Sequence, residues 1–266
     1  VSAQAQAAAP EVVVEVTDGV ATITMNRPEA RNMLTATGMA QLEQHMRSAG
    51  EDPSVRVIIL TGSGNTFCSG ADLRGASAAD AQSFTGQGPG ALVGVLESIL
   101  DNPKPVIARV QGHVAGGGNG LVAAADLSVA AESAKFAFSE VRLGLAPAVI
   151  SVVCLARMHR ADAQELLLTG DRVPAERVVA SGMLNRAVPD AELDAAVAGW
   201  VDSLRKGGPE ALGHVKGLLR DVPRLGRAEA FEHTAALSAR LFASPEAASG
   251  MMAFLSRKPA PWVAGT

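Results

Sequence analysis

A chain of 266 residues, 48% hydrophobic and 19% charged, can bury a large core, and this balance excludes a disordered chain. A net charge of -4 with scattered Lys and Arg argues against nucleic acid as a partner. Cys68 and Cys154 lie outside any CxxC or Cys/His pattern, so neither a metal site nor a disulfide framework is expected, and a cytoplasmic setting fits.

The elements are read in chain order. Val1 to Pro10 is Ala/Gln-rich and reads as a frayed, disordered tail without the regions of a signal peptide. Glu11 to Val16 and Val20 to Met25 are β-branched runs around Asp18-Gly19, the signature of a hairpin. Thr35 caps a helix expected to run to about Ala49, with Leu42, His45 and Met46 on one side. Val55 to Leu60 reads as a strand, Asn65 to Gly75 as a glycine-interrupted loop, and Ala76 to Gly90 as a mobile connection. Ala91 to Leu100 looks helical, and Lys104 to Val110 is a strand opened by Pro105.

Beyond a glycine-rich turn, Leu121 to Ala125 reads as helix, with short strands at Leu127 to Ala130 and Lys135 to Phe138. Ala161 to Leu168 and Ala175 to Ala180 are helical patterns stopped near Gly170 and Gly182. Glu192 to Lys206, Pro209 to Leu219, Arg227 to Phe242 and Pro245 to Leu255 follow as helices. The order predicts an α/β fold: a tail over 1–10, a core over 11–200 and a helical region over 201–266. No apolar run reaches the roughly 18 residues of a membrane span.

Familiar nucleotide and hydrolase motifs are missing. Gly62-Ser63-Gly64 is not followed by a P-loop lysine, the glycine-rich turn has no GxGxxG, and no GxSxG occurs. The five histidines form no HxH or HxxxH pair. What remains is Gly116-Gly117-Gly118 between a strand and a helix, where amides without Cβ cover can meet an anion. The same glycines also suit a tight turn. Glu140 lies among apolar residues, where a carboxyl of raised pKa serves as acid or base, or where it pairs with Arg142.

Several segments together resemble the crotonase, or enoyl-CoA hydratase/isomerase, superfamily over nearly the whole chain. Asn26-Arg27-Pro28 with Asn32-Met33-Leu34 is similar to its NRP…NAL segment, and Phe67 to Leu73 to its FxAGADL loop. Pro103 to Ala108, Gly112 and Gly116-Gly117-Gly118 match KPVIAxVxGxxxGGG. Ala125-Asp126-Leu127, Phe136 with Glu140, and Leu168 to Asp171 match later landmarks, and Phe254 to Pro259 with Trp262 resembles the C-terminal FLEKRPPRW.

The resemblance implies a β/α spiral core with a C-terminal helical trimerisation region. It implies an acyl-CoA thioester held at an oxyanion hole by the amides of Ala71 and Gly117, with Glu140 catalytic. Ala30, Arg31, Asn32, Asp72, Leu73 and Arg74 would hold coenzyme A. Arg257 and Lys258 would reach its phosphates, in some relatives on a neighbouring subunit. Coenzyme A enters as part of the substrate, so no cofactor and no metal are expected. A homotrimer or dimer of trimers is implied.

One departure concerns the reaction. Hydratases of the family pair two glutamates, and the first position here is Gly120. Glu140-Val141-Arg142-Leu143-Gly144-Leu145 resembles a bacterial branch that includes methylglutaconyl-CoA hydratases and also carries glycine there. Hydration of a 2-enoyl-CoA by one glutamate is thus expected, with double-bond isomerisation as the alternative. A catalytically weak acyl-CoA-binding protein is the alternative of another class.

Overall fold

The computed structural model describes residues 9–72 and 89–263. Most of the expected tail, and most of the connection read over 76–90, lie outside them. The chain opens with β1 (Val12–Thr17) and β2 (Val20–Met25), paired antiparallel from Val12↔Met25 to Thr17↔Val20. Asp18 and Gly19 take φ values of 48° and 73°, the left-handed pair that matches the twist of a two-residue hairpin. Helix α1 (Ala36–Glu51) starts where the Thr35 hydroxyl accepts from Gly38 N–H at 2.9 Å. It buries Leu42 and Met46 completely, each burial contributing roughly 1.5–3 kcal/mol.

The chain then winds as a spiral, placing successive strands in two sheets in turn. β3 (Val57–Gly62), β5 (Val106–Val110) and β7 (Leu127–Ala131) run parallel in a six-stranded sheet of order β1-β2-β3-β5-β7-β10, closed by β10 (Arg186–Val188). β4 (Thr66–Cys68), β6 (His113–Ala115) and β8 (Lys135–Ala137) run parallel in a smaller sheet, with β9 (Arg172–Pro174) antiparallel at its edge. The short strands β4, β6, β9 and β10 carry too few residues for a period-2 signal, and β4 falls in the stretch expected to be loop.

Helices fill the turns of the spiral: α2 (Pro89–Leu100), α3 (Gly117–Ala124), α4 (Ala148–Cys154), α5 (Arg160–Thr169) and α6 (Ala175–Ala180). α3 begins at Gly117, four residues before the expected start at Leu121; the glycines themselves form its first turn. The main core joins α1 to α6 with one face of the large sheet. On the other face, α7 (Leu193–Arg205) lays Leu193, Val197 and Val201 over Val57, Ile107 and Val129.

The last helices are α8 (Pro209–Asp221), α9 (Arg227–Phe242) and α10 (Pro245–Leu255). Lys216 of α8 reaches into the core, with Nζ 2.7 Å from Asp126 Oδ2 and donating to Lys104 O at 2.9 Å. Arg56 donates to the carbonyls of Gly207 and Trp262 at 2.8 and 3.0 Å, holding the C-terminal segment against the start of β3. Among the described residues no helix is long and apolar enough to cross a membrane.

Candidate active site

Three adjacent parallel strands of the small sheet, β4, β6 and β8, end on the same side. Ala71 follows the end of β4, Gly117 the end of β6, and Glu140 the end of β8. Residues far apart in sequence thus meet at the carboxyl edge of one sheet, where parallel folds commonly bind ligands.

The amides are freed by backbone pairing. Leu34 bridges Ala71: Leu34 N–H donates to Gly70 O at 2.8 Å, and Asp72 N–H donates to Leu34 O at 3.1 Å. A parallel bridge uses the groups either side of Ala71 and turns its own N–H the opposite way. Gly117 is the first residue of α3, so its N–H has no helical acceptor, and Asn119 N–H makes the first turn's bond to Gly116 O at 2.9 Å. The helix dipole adds partial positive charge there.

Backbone holds the two loops together. Gly116 lies at φ 52°, ψ -125°, a conformation reserved for glycine, and a Cβ there would sit 3.4 Å from Gly70 Cα and 3.7 Å from Glu140 Oε1. A Cβ on Gly118 would strike Cys68 O at 2.8 Å.

Glu140 enters on a 3-10 turn, Ser139–Leu143. The pairing with Arg142 left open by the sequence does not form. Arg142 turns to Asp171 and to Thr169 O, leaving Glu140 Oε2 buried with no hydrogen-bond partner among the described residues. Burial raises the Glu140 pKa above the ordinary carboxylate value, only partly offset by a hydrogen bond from its own backbone. Asn119 is fully buried, its Nδ2 donating to Ala137 O at 2.8 Å and its Oδ1 unpartnered among the described residues. Cys68 and Cys154 are each pushed up to about 12, chiefly by burial, so both stay thiols at neutral pH and serve as packing residues.

A family model described as enoyl-CoA hydratase/isomerase matches residues 15–265. The chain belongs to the enoyl-CoA hydratase/isomerase family. It is 32% identical over 253 residues to the enoyl-CoA hydratase EchA19 of Mycobacterium tuberculosis, covering 94% of this chain and 95% of the relative. A carnitinyl-CoA dehydratase of Proteus mirabilis is 32% identical over 246 residues, covering 90% of this chain and 93% of the relative. The crystal structure of an enoyl-CoA hydratase from Mycobacterium smegmatis superposes with a TM-score of 0.89 at 31% identity, covering 96% of this chain and 99% of that one. As a member of the enoyl-CoA hydratase/isomerase family, the protein is an acyl-CoA-processing enzyme with the crotonase fold.

Against this family background, the remaining expected site residues separate into groups. Ala30 and Arg31 sit on the turn before Leu34, and Arg31 O accepts from Ser69 N–H at 3.1 Å, so the turn lies against the Ala71 loop. Asn32 is engaged elsewhere. It is 2% exposed, accepts from Arg27 N–H at 2.9 Å, and donates to the carbonyls of Ser63 and Thr66 at 2.9 and 2.6 Å. Its side chain pins the turn.

Asp72 N–H is likewise engaged by Leu34, while Leu73 and Arg74 lie outside the described residues. Arg257 and Lys258 are exposed just beyond α10, their N–H groups donating to Phe254 O and Ala253 O at 3.1 and 2.9 Å. Among the described residues no three His, Cys, Asp or Glu side chains gather as a metal site. Sequence reasoning missed Leu34 as the residue that orients Ala71, Asp171 as the partner that removes Arg142, and Ile150, whose Cγ2 would lie 2.5 Å from a Cβ on Gly120. None of these has a local signal, because each acts across a tertiary contact.

Proposed function

We propose that the protein adds water across the double bond of a 2-enoyl-CoA thioester. The carrying observation is the carboxyl of Glu140, whose Oε2 is buried and unpartnered among the described residues while its Oε1 faces Gly116 at the N-terminus of α3. A buried carboxyl with an unused acceptor beside free amides is poised to exchange protons with a ligand.

The thioester oxygen accepts from Ala71 and Gly117 N–H. Glu140 carboxylate takes a proton from water as the water oxygen bonds to Cβ, and the π electrons move through Cα onto the thioester oxygen. The amides hold that charge, a contribution worth about 10²–10³ in rate per donor. The Glu140 carboxyl then returns its proton to Cα, completing the addition. Names among the relatives, a hydratase and a dehydratase, fit this chemistry in its two directions.

The turn at Ala30 and Arg31, with the Ala71 to Arg74 loop, is the seat we assign to coenzyme A. The exposed aromatics Phe231, Phe242 and Phe254, 70%, 71% and 82% accessible in the single chain, support a trimer-based assembly in which Arg257 and Lys258 serve a neighbour. A single carboxylate also suits transfer of one proton from Cα to Cγ, and this isomerisation is the second reading. The inward direction of Glu140 counts against a binding-only protein.

The test is a panel of 2-enoyl-, 3-enoyl- and branched glutaconyl-CoA thioesters, with products weighed by mass spectrometry. Hydration adds the mass of water; isomerisation leaves the mass unchanged. Glu140→Gln should remove turnover while thioester binding persists. Unchanged turnover in that variant sinks the assignment.

A further inference from the structure

The side of α3 that carries Gly117 also carries Gly120, one turn later. A Cβ on Gly120 would meet Ile150 Cγ2 at 2.5 Å, Ile150 Cβ at 3.1 Å and Leu96 Cδ2 at 3.5 Å. The space beside Gly120 is therefore filled with hydrocarbon rather than left open. Ile150 is 3% exposed within α4. Its Cγ2 is bonded directly to Cβ, so only a χ1 change or a helix shift would move it, and a β-branched side chain in a helix has essentially one χ1 well.

Ile150 packs against α3 at Gly120. It stands four residues before Cys154 on the same helix face, and Cys154 feels the charge of Glu140. Ile150 thus belongs to the surface of α4 that packs against α3 at Gly120.

We propose that Ile150 is the residue that sets the reaction, occupying the seat of a second carboxylate and leaving the reacting carbons between Glu140 and a hydrocarbon wall. The inference rests on the reading of Glu140 as the proton carrier. Water on that wall has no second acceptor to hold it. Addition of water then depends on Glu140 alone, while a competing proton transfer within the substrate stays open, in which the Cα–H bond breaks, the double bond moves from β,γ to α,β, and Glu140 delivers the same proton to Cγ. The restriction lies in the Gly120–Ile150 pair, so replacing Gly120 alone does not lift it.

The experiment compares Gly120→Glu, Ile150→Ala and the double variant, reading melting temperature and the ratio of hydrated to isomerised product from 2-enoyl- and 3-enoyl-CoA. Gly120→Glu alone should melt about 5 °C lower, through overpacking, and gain no hydration. Ile150→Ala in the same chain should recover most of that loss and raise the hydration ratio about tenfold. Ile150→Ala alone should shift the ratio toward hydration, whereas a purely packing role would change only the melting temperature. Gly120→Glu matching the double variant in both readouts overturns the proposal, as does a ratio unmoved by Ile150→Ala. Wild-type protein without Glu140-dependent turnover overturns both this inference and the reading beneath it; Glu140-dependent turnover with indifferent Ile150 variants overturns this one alone.

Discussion

Gly70 and Gly116 meet back to back: a methyl on Gly116 would sit 3.4 Å from Gly70 Cα, and a methyl on Gly70 would sit 3.1 Å from Ala115 O. This contact sets the separation of the two loops that carry the Ala71 and Gly117 amides. Gly116→Ala puts a side chain at a backbone angle that L residues rarely adopt. It should cost roughly 1–2 kcal/mol of stability and lower kcat/KM about 100-fold through misplaced amides. Thermal melting together with steady-state kinetics checks both. Wild-type kcat/KM in a folded Gly116→Ala protein would remove this contact from catalysis.

Glu140→Gln has two expected outcomes of opposite value to the protein. Loss of the proton carrier should lower kcat about 10²–10⁴-fold. Stability should rise at pH 7 to 8, because burial raises the folded-state pKa of Glu140. The folded protein binds the Glu140 proton more tightly than the unfolded chain does. Ionisation therefore withdraws stability as pH climbs from the unfolded-state value, about 4.3, through the higher folded-state value. Glutamine escapes that penalty, so the melting difference between variant and wild type should be largest above the folded-state pKa and close to nothing below about pH 4.

Asp171 should tune Glu140 without touching it. Arg142 is two residues from Glu140 and is held by Asp171 and Thr169 O. The pair is exposed, so Asp171→Asn should cost less than about 1 kcal/mol of stability. Freed, Arg142 can approach the Glu140 carboxylate and lower its pKa. The acid limb of the kcat/KM profile should move to lower pH, and a limb that stays in place contradicts the role given to Asp171.

Asn32 is predicted to matter for folding before binding. Asn32→Ala removes three hydrogen bonds and leaves Arg27 N–H and the Ser63 and Thr66 carbonyls without their partner. Its φ of 51° also favours asparagine over alanine. A loss of about 2–4 kcal/mol is expected by denaturant titration. A drop in thioester affinity at unchanged stability would instead indicate direct contact with coenzyme A.

Lys216→Met should unseat α8 from the core. Lys216 Nζ lies 2.7 Å from Asp126 Oδ2, both largely withdrawn from water. Removing one partner of such a pair typically costs about 3 kcal/mol, because the other charge stays buried. Asp126→Asn in the same chain should restore part of that loss, a coupling that a double-mutant cycle measures.

Much of this protein is legible in its residues because the relevant forces are local. Asp18-Gly19 between β-branched runs has one good solution, a hairpin. Thr35 announces a helix start through a bond to an amide three residues on. The long apolar periods of α7 to α10 persist whatever surrounds them. The order and spacing of the glycine loops, with Glu140 behind them, carry the family resemblance and the candidate residues.

The tertiary structure decided what depends on partners distant in sequence. β4, β6, β9 and β10 are each three residues long and exist only because a neighbouring strand pairs with them. Gly117 became a helix N-terminus rather than a turn residue, and the Ala71 N–H has no partner among the described residues, because Leu34 took the bonds on either side of it. Arg142 chose Asp171 over Glu140 because the chain brings Asp171 within reach. The absence of a second glutamate at Gly120 is plain in the sequence; that Ile150 fills the space is not, since thirty residues of spiral had to fold before the two could touch.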